Sequence, residues 1–544
     1  MRTSVLALVM AQCVVFGGAA YADDATAPSG SIIAVTTSLS GTGQDNKVSL
    51  VYNYKPYWDE VFDYAVEQDA TGKLVPGLAE SWEASADHLT WIFSIRQGVK
   101  WHNGDPLTAE DVAWSWHRVM FDADSKHTLS GYAPKLESIT VEGNKVVIKT
   151  KQPEALVPLW FAKTQGNLGG TVVSKKYFET VGAEKGAREP IGTGPYKFVS
   201  ANGEQSVQLT AFDGPDLGEW QKSRIPSVKD LTVMAVPEAS TRIALLKTGG
   251  ADLVPLPISA MEDVASQRDL RVISVPATNY SGIICMGFTL NPKSPCNDQK
   301  VREALSISID RASIADVIYH GQAEPSNGWY GGPGSFGYPN DLAPTPFDPE
   351  RAAQLLTEAG FGPDNPLKVQ IVTYNDDVDF PMLPTLAEAI VGYYQSIGID
   401  ASIQLMDWNA QKGTMLKGEF TGQLNNPEVS PVTLFMRGMD NRYNFMADQI
   451  QAFTPAGKIG VATWDNAKLP GQAERLGALA AAFDSDEQEK VLKDYNRWMA
   501  ENFNDIPLLA ASSVFGVSPK LKSWTPIAGK PFVQNMRTLV PAED

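Results

Sequence analysis

The chain is 544 residues long, and 43% of its residues are hydrophobic. This is enough to bury the cores of about three or four ordinary domains, which excludes a disordered tail and a small disulfide-stapled module. The formal net charge is −18, from 63 acidic and 45 basic residues, and no basic run interrupts the sequence. Because a phosphate backbone would find no electrostatic footprint, we expect no nucleic-acid partner.

The first 22 residues have the pattern of a cleaved secretory signal peptide. Arg2 supplies a positive start, an apolar run extends from Val5 to Phe16, and Ala20-Tyr21-Ala22 is a small-x-small cleavage site. A membrane anchor is the alternative, but the run is shorter than the roughly 20 apolar residues that span a bilayer. Cys13 follows the bulky Gln12 and so lacks a lipobox. We therefore expect a protein exported to the periplasm, with the signal peptide removed.

The first predicted strand lies at Ile32–Val35 and runs into a loop rich in Ser, Thr and Gly at residues 36–44. The backbone donors of this loop either face a ligand or lie on a plain surface. Ser38 is the candidate ligand-binding residue in this loop.

The most informative stretch extends from Leu78 to Arg118. Residues 89–95 alternate between apolar and polar, which predicts a half-buried strand. A turn follows at Asn103-Gly104-Asp105-Pro106. Thr108, with Asp111 three positions later, then predicts a capping box at the start of a helix. The apolar stripe of that helix is predicted to be Val112, Trp116 and Val119.

The next segments predict a mixed α+β region. Residues 139–150 alternate on both sides of Gly143-Asn144, which indicates a hairpin. Ile191 to Phe198 reads IGTGPYKF, a glycine turn that leads into a strand; no Gly-Lys-Ser/Thr follows, so it is not a phosphate loop. A strand at 231–236, a helix at 240–247 and a break at Gly249-Gly250 precede another strand.

Two cysteines remain after the signal peptide, Cys285 and Cys296. In an oxidising compartment a pair at this short separation indicates a disulfide, and two separate buried thiols are the alternative. Neither a Cys-x-x-Cys spacing nor a neighbouring histidine points to zinc.

The second half of the chain carries strong helix and strand patterns. We predict a helix at residues 301–311, capped by Asn297 or Asp298, and another that begins at Asp348-Pro349 and ends at Gly360. A strand at 367–373, a helix at 385–397 and a strand at 399–405 predict a β-α-β unit with parallel strands.

Several of these segments together resemble the family 5 extracellular solute-binding proteins, which deliver peptides, nickel complexes and other solutes to ABC importers. The matching segments are Leu78–Trp82, Ile95–Lys100, Asn103-Gly104, Leu107–Val112, Ile191–Phe198 and Val301–Arg311. The resemblance implies an α/β fold, a two-lobe periplasmic binding protein of type II, cluster C-like, with an extra α+β domain inserted in lobe I.

The resemblance also implies a division of the chain. The expected segments are a signal peptide at 1–22, lobe I at 23–55, the inserted signature domain at 56–189, lobe I again at 190–280, lobe II at 281–500, and a final part of lobe I at 501–544. The protein would act as a monomer that closes on a small-molecule solute and is then recognised by the membrane permease.

Candidate solute contacts follow the predicted strands of lobe II, because open α/β sheets bind ligands beyond the carboxyl ends of their strands. Tyr374 and Asn375 follow one such strand. Trp408 follows the next and either stacks on a solute or fills the core of its own lobe. Tyr330 lies in a loop of glycines and aromatic residues at 327–338, which is either a pocket wall or a surface crossing.

The segment from Gly418 to Tyr443 should define the solute. Peptide-binding members of the family carry there an aspartate, in a Trp/Asp/Pro-rich pattern, that pairs with the peptide amino terminus, and this sequence lacks that pattern. Asn425 and Glu428 are the candidates in its place. The Arg437 guanidinium suits a carboxylate or phosphate, with a solvated loop arginine as the alternative. We therefore keep anionic and sugar-like solutes beside peptides.

No enzymatic motif is present. The sequence has no His-Glu-x-x-His and no Gly-x-Ser-x-Gly, and its five histidines are scattered. A triad assembled from distant residues would leave no such motif. We expect no catalytic residue, no resident metal and no cofactor. The alternatives to a peptide-type receptor are a nickel or metal-chelate receptor of the same family and, less favoured, a secreted hydrolase.

Overall fold

The fold is built around one long mixed sheet and a separate smaller one. The structure is a computed structural model that describes residues 27–39, 46–47, 57–125, 127–163, 170–285, 293–328, 331–374, 382–406, 431–440, 470–526 and 533–543. Structural statements below concern these residues. No helix within them is both long and apolar enough to cross a membrane.

The amino-terminal part places one long strand before a region of short elements. Its strands are β1 (Ser29–Thr36), β2 (Val66–Gln68), β3 (Leu74–Pro76), β4 (Ala79–Ala84), β5 (Thr90–Ile95), β6 (Leu136–Glu142) and β7 (Lys145–Thr150). Its helices are α1 (Trp58–Val61), α2 (Ala109–Phe121), α3 (Val157–Trp160), α4 (Lys175–Val181) and α5 (Ala183–Arg188). The antiparallel sheet β4-β5-β7-β6 is called the signature sheet below.

The middle of the chain alternates strands with short helices. Its strands are β8 (Tyr196–Asn202), β9 (Ser206–Ala211), β10 (Val228–Ala235), β11 (Leu253–Leu256) and β12 (Arg271–Cys285). Its helices are α6 (Glu219–Lys222), α7 (Ala239–Thr248) and α8 (Met261–Ala265). Strand β1 runs parallel to both β10 and β11, so β1 lies inside the sheet.

The second half is richer in helix. Its helices are α9 (Gln299–Ile307), α10 (Arg311–Val317), α11 (Pro349–Glu358), α12 (Leu383–Ser396), α13 (Gln472–Ala480) and α14 (Ser485–Glu501). Its strands are β13 (Ala323–Pro325), β14 (Lys368–Tyr374), β15 (Asp400–Met406), β16 (Val432–Asp440), β17 (Ile506–Val517), β18 (Leu521–Ser523) and β19 (Val540–Pro541). Short 3₁₀ helices lie at Thr128–Lys135, Ile258–Ala260, Pro295–Asn297 and Met536–Thr538.

One continuous sheet carries both lobes of the molecule. Its strand order is β15-β14-β16-β12-β17-β11-β1-β10-β9-β8, and β13 pairs with β17 beside this path. Lobe I is the group of β1 and β8 to β11, and lobe II is the group of β13 to β16 with helices α9 to α12. The long strand β17 pairs with β11 of lobe I and with β13 of lobe II, and the long strand β12 pairs with β17 along its length and with β16 of lobe II. The chain therefore passes between the lobes along these two strands.

The local patterns of the signature segment are confirmed. The Thr108 hydroxyl accepts a hydrogen bond from the Asp111 backbone N–H at 3.3 Å, and the Asp111 carboxylate accepts one from the Thr108 N–H at 3.0 Å. This closes the predicted capping box before α2. Strands β6 and β7 pair antiparallel around Gly143 and Asn144, as predicted for the hairpin.

The predicted β-α-β unit is also confirmed, whereas one predicted helix is wrong in extent. Strands β14 and β15 are parallel and are joined through α12. The helix predicted at 301–311 ends at Ile307 instead, and α10 begins four residues later. The Asp310 carboxylate caps α10 by accepting from the Ser313 N–H at 3.0 Å. An aspartate that caps a new helix cannot continue the previous one, which explains the break.

Candidate functional site

Strands β12 and β17 change partners where they pass between the lobes. Residues 271–275 pair with 513–517 on the lobe I side, and residues 279–283 pair with 506–511 on the lobe II side. The register shifts between Val275 and Asn279. Ala277, inside this interruption, has a left-handed φ of 50° that residues other than glycine rarely adopt. We call residues 275–279 and 511–514 the crossover.

The parallel strands of both lobes end at the crossover. Leu256, the last residue of β11, pairs with Val514. Asp440, the last residue of β16, pairs with Asn279. Strands β1 and β10 run parallel beside β11, and β14 and β15 run parallel beside β16. Because β11 and β16 run in opposite directions, the carboxyl ends of the two groups face each other at the crossover. Ligands of open α/β sheets bind beyond such ends, which makes the crossover the floor of the candidate site.

The crossover holds a small buried polar cluster. The Thr278 hydroxyl lies 2.7 Å from the Ser513 hydroxyl and donates to the Ala511 carbonyl at 3.2 Å. The Asn279 amide nitrogen donates to the Ser513 hydroxyl at 3.1 Å. Its amide oxygen is buried and has no hydrogen-bond partner among the described residues. A buried acceptor without a hydrogen bond costs about 1–3 kcal/mol of folding free energy. A group that donates a hydrogen bond to this amide oxygen would recover that free energy.

The structure describes three of the sequence-predicted solute contacts. Ser38 is half-buried and lies two residues beyond the end of β1. Tyr374 ends β14, but its side chain is only 2% exposed and lies in the apolar core of lobe II. The backbone of Arg437 lies in β16 opposite Gly282. The remaining candidates lie outside the described residues: Tyr330, Asn375, Trp408, Asn425 and Glu428.

Sequence reasoning missed the polar residues of the crossover. Long apolar strands are interrupted by three polar residues, Thr278, Asn279 and Ser513. This interruption is the feature of the sequence that could have indicated them. Its meaning depends on the pairing of β12 with β17, whose residues are more than 200 positions apart. The expected boundary between lobes, at 280 and 281, falls next to this cluster.

The two cysteines are joined as a disulfide in the structure. Cys285 ends β12 and Cys296 lies in the following 3₁₀ helix, with their Cα atoms 6.2 Å apart. Both side chains are buried in the core of lobe II. The bond therefore joins the end of β12 to the 3₁₀ helix Pro295–Asn297.

His102, beside the Asn103-Gly104 turn, is hydrogen-bonded to the Ile191–Phe198 motif. Its Nδ1 accepts a hydrogen bond from the Gly192 N–H at 3.1 Å, so its Nε2 carries the proton that is donated to the Gly194 carbonyl, 3.0 Å away. Burial lowers the pKa of His102 to about 4. A Cβ on Gly192 would lie 1.7 Å from the Val61 carbonyl, so only glycine fits this turn.

A buried ion-pair network supports the same region. The Asp63 carboxylate pairs with Arg224 at 2.5 Å and accepts from the Thr193 hydroxyl at 2.8 Å. Burial raises the pKa of Asp63, but the Arg224 charge and these hydrogen bonds outweigh burial, and the net pKa is lowered. The Glu60 carboxylate accepts from the backbone N–H groups of Met536 and Arg537. These contacts fix α1 to lobe I and to the carboxyl-terminal segment.

The described residues contain no metal-binding cluster. No group of three or more His, Cys, Asp or Glu side chains lies within them at a spacing that could hold a metal ion. The charged side chains near α1 are instead engaged with one another or with backbone groups.

Comparison with known proteins agrees with the two-lobe geometry described above. The family model described as "Bacterial extracellular solute-binding proteins, family 5 Middle" matches residues 73–427. The dipeptide-binding protein of Escherichia coli K12 is 26% identical over 409 residues, 70% of this chain and 73% of that protein. Di/tripeptide-binding protein 2 of Pseudomonas aeruginosa is 30% identical over 372 residues, 64% of this chain and 66% of that protein.

The fold has a close counterpart among solved structures. The structure of NikA from Brucella suis in complex with Fe(III)-EDTA superposes with a TM-score of 0.76 at 19% identity, and covers 94% of this chain and 100% of that chain. The fold is therefore that of a two-lobe periplasmic binding protein of type II. The chain belongs to family 5 of the bacterial extracellular solute-binding proteins, the solute-binding components of ABC importers.

Proposed function

We propose that this protein captures a small peptide or peptide-like solute between its two lobes and delivers it to a membrane permease. The observation that carries this proposal is the convergence of parallel strands from both lobes on the crossover. Anionic and sugar-like solutes remain within the proposal, since the segment expected to hold a peptide amino terminus lacks the aspartate pattern of peptide-binding members.

The crossover supports the proposal that the lobes close on a solute. The lobes are connected by β12 and β17, whose pairing is interrupted at residues 276–278. Rotation there changes the separation of the two sets of strand ends. A solute that contacts both lobes shifts the equilibrium toward the closed form. Micromolar affinity needs only about 8 kcal/mol, which several hydrogen bonds and one stacked ring supply.

The solute contacts belong to the proposal as well. Asn279, Thr278 and Ser513 form the floor, and Ser38 lies beside it. We propose that Arg437 binds an anionic group of the solute. Five further contacts are proposed from the sequence alone: Tyr330, Asn375, Trp408, Asn425 and Glu428. Tyr374 supports the lobe II core next to the site, given its burial.

The remaining features follow from the same proposal. The protein acts as a monomer in the periplasm after removal of residues 1–22, without enzymatic activity and without a nucleic-acid partner. Residues 56–189 form an inserted domain of lobe I, 281–500 form lobe II, and 23–55, 190–280 and 501–544 complete lobe I. The signature sheet, which pairs only within itself, supports the inserted domain.

Native mass spectrometry of protein purified from its own host tests the solute class. We expect a retained small molecule that is released intact on denaturation, with the mass of a peptide or peptide-like compound. A metal chelate in its place would favour the nickel-type receptor, and Ni²⁺ with histidine would then raise the melting temperature. Chemical conversion of the retained compound would contradict a transport function and indicate a hydrolase.

A further inference from the structure

The signature sheet also contacts residues on the lobe II side of the crossover, outside the polar cluster of Thr278, Asn279 and Ser513. Phe483, in the turn between α13 and α14, stacks on His88 with ring centroids 3.8 Å apart and an interplanar angle of 19°. The same ring lies nearly parallel to that of Trp91 in β5, with centroids 6.0 Å apart. One phenylalanine of the helical pair thus packs on two aromatic side chains of the signature sheet.

Two backbone hydrogen bonds cross the same contact. The Phe336 N–H donates to the Thr71 carbonyl at 2.7 Å, and the Ala155 N–H donates to the Ala480 carbonyl at 3.3 Å. Apolar residues of both partners also share one core, since Phe336 and residues of α13 and α14 cluster with those of the signature sheet. The contact is therefore specific in geometry as well as apolar.

The two partners lie on opposite sides of the crossover. The signature sheet is fixed to lobe I, because His102 and Asp63 are bonded to Gly192 and Arg224 respectively. The Phe336 loop follows β13, which pairs with β17 at residues 509–511, on the lobe II side. Helix α14 leads directly into that same half of β17. Rotation of the lobes about residues 276–278 would therefore move the two partners of this contact relative to each other.

The packing at this contact is incomplete. A cavity of about 80 Å³ lies between the partners, and six of its lining residues are Leu74, Trp82, Trp91, Leu156, Phe336 and Phe483. The two partners therefore do not fill the space between them completely, although apolar residues of both are buried in one cluster.

We propose that this contact is a latch, which opens and closes as one unit and opposes separation of the lobes. The latch consists of Thr71, His88, Trp91 and Ala155 on the signature side, and of Phe336, Ala480 and Phe483 on the lobe II side. Its role in capture rests on the proposed function, because only then does lobe closure retain a solute. The latch itself exists without solute and is tested in solute-free protein.

Amide hydrogen exchange measured at single residues tests the latch, since exchange reports the opening of individual hydrogen bonds. The Phe336 and Ala155 amides cross the latch, whereas the Ile95 amide bonds to the Asn144 carbonyl within one partner and the Ser326 amide to the Leu508 carbonyl within the other. We expect Phe336 and Ala155 to exchange with one common opening free energy and at least about tenfold faster than the two reference amides.

Substitution of the stacked ring provides the second measurement. Phe483→Ala should accelerate exchange of the Phe336 and Ala155 amides together by about tenfold or more and leave the reference amides unchanged. Phe347→Ala is the matched control, because Phe347 is 46% exposed and contacts Tyr393 within lobe II. It should leave the latch amides unaffected.

Two results would overturn the latch. If Phe336 and Ala155 exchange as slowly as Ile95 and Ser326 in the unsubstituted protein, the contact is a permanent part of the core. If they exchange with different opening free energies, each frays locally and no common unit exists. Both results leave the solute-capture proposal standing, whereas failure to find a solute leaves the exchange measurement intact.

Discussion

His102 occupies a position that accepts only the neutral imidazole, since its Nδ1 must accept from Gly192. An unfolded histidine binds a proton near pH 6.5, whereas burial lowers the pKa of folded His102 to about 4. Between these values the unfolded state binds more protons. The free energy of unfolding should therefore fall as the pH decreases, by up to about 1.4 kcal/mol per pH unit.

Urea denaturation at pH 7 and pH 5 measures this effect. His102→Gln should lower stability at pH 7 but reduce the loss between the two pH values. His117→Gln is the control for the substitution itself, because the His117 side chain is 57% exposed, and it should leave stability at pH 7 nearly unchanged. His127 retains a slope of the same sign, since burial lowers its pKa to about 3. An unchanged slope in His102→Gln would refute the neutral assignment.

The structural role of an individual residue could be predicted only where its hydrogen-bond partner lies close to it in the sequence. Thr108 and Asp111 are three positions apart, and the sequence predicted their reciprocal hydrogen bonds. The hydrogen bond between His102 and Gly192 could not be predicted, because the two residues lie 90 positions apart. Long-range partners depend on strand pairing, which a single sequence does not specify.

At the scale of elements, the start of α2 depends on its capping box. Thr108→Ala removes the acceptor for the Asp111 N–H and should lower the free energy of unfolding by about 1 kcal/mol. Thr108→Ser keeps the hydroxyl and should restore most of that loss. Chemical denaturation of both variants measures the difference. Equal losses in the two variants would show that the Thr108 methyl group, not its hydroxyl, stabilises the helix.

The Cys285–Cys296 disulfide fixes the segment between β12 and α9. The bond spans 11 positions, and in the chain-entropy model a loop of this size stabilises by about 3 kcal/mol. The double variant Cys285→Ser, Cys296→Ser should lose that amount in urea denaturation, and dithiothreitol should produce a similar loss in the unsubstituted protein. An insensitive melting curve would show that the thiols are separate in the folded protein.

Elements were predicted well where periodicity and turn residues agree, and less well elsewhere. The β-α-β unit and the helix at Pro349–Glu358 follow from such patterns. The break at Ser308 was missed, because the apolar spacing of α9 continues past its end while Asp310 caps the next helix. Strand β4 was also missed, because its sequence AESWEA does not alternate between apolar and polar residues, and it is fixed by pairing with β5.

At the scale of the whole molecule, the sequence predicted two lobes but not how they are joined. The crossover arises because β12 and β17 are long enough to pair in both lobes, with a register shift at residues 276–278. This pairing relates segments more than 200 positions apart, beyond the reach of local patterns. Strand direction then brings the carboxyl ends of β11 and β16 to the crossover from opposite sides.

The identity of the solute depends on whether Arg437 binds an anionic group. Its backbone lies in β16, three positions before the strand end that meets Asn279. If its guanidinium pairs with a solute carboxylate, Arg437→Ala should weaken binding of trialanine by more than about tenfold, the scale of a lost charge-assisted hydrogen bond. The unsubstituted protein should also bind trialanine more tightly than its carboxyl-terminal amide, and the variant should lose that preference.

Isothermal titration calorimetry with both peptides measures these affinities. Arg497→Ala is the control, because Arg497 pairs with Asp341 at the surface of lobe II, and it should leave both affinities unchanged. A uniform loss in the Arg437 variant, with the preference for the free acid retained, would place the carboxylate contact elsewhere. Equal affinity of the unsubstituted protein for the two peptides would direct the search to sugar-like solutes. In either case the crossover floor of Thr278, Asn279 and Ser513 remains the place to look, because it does not depend on Arg437.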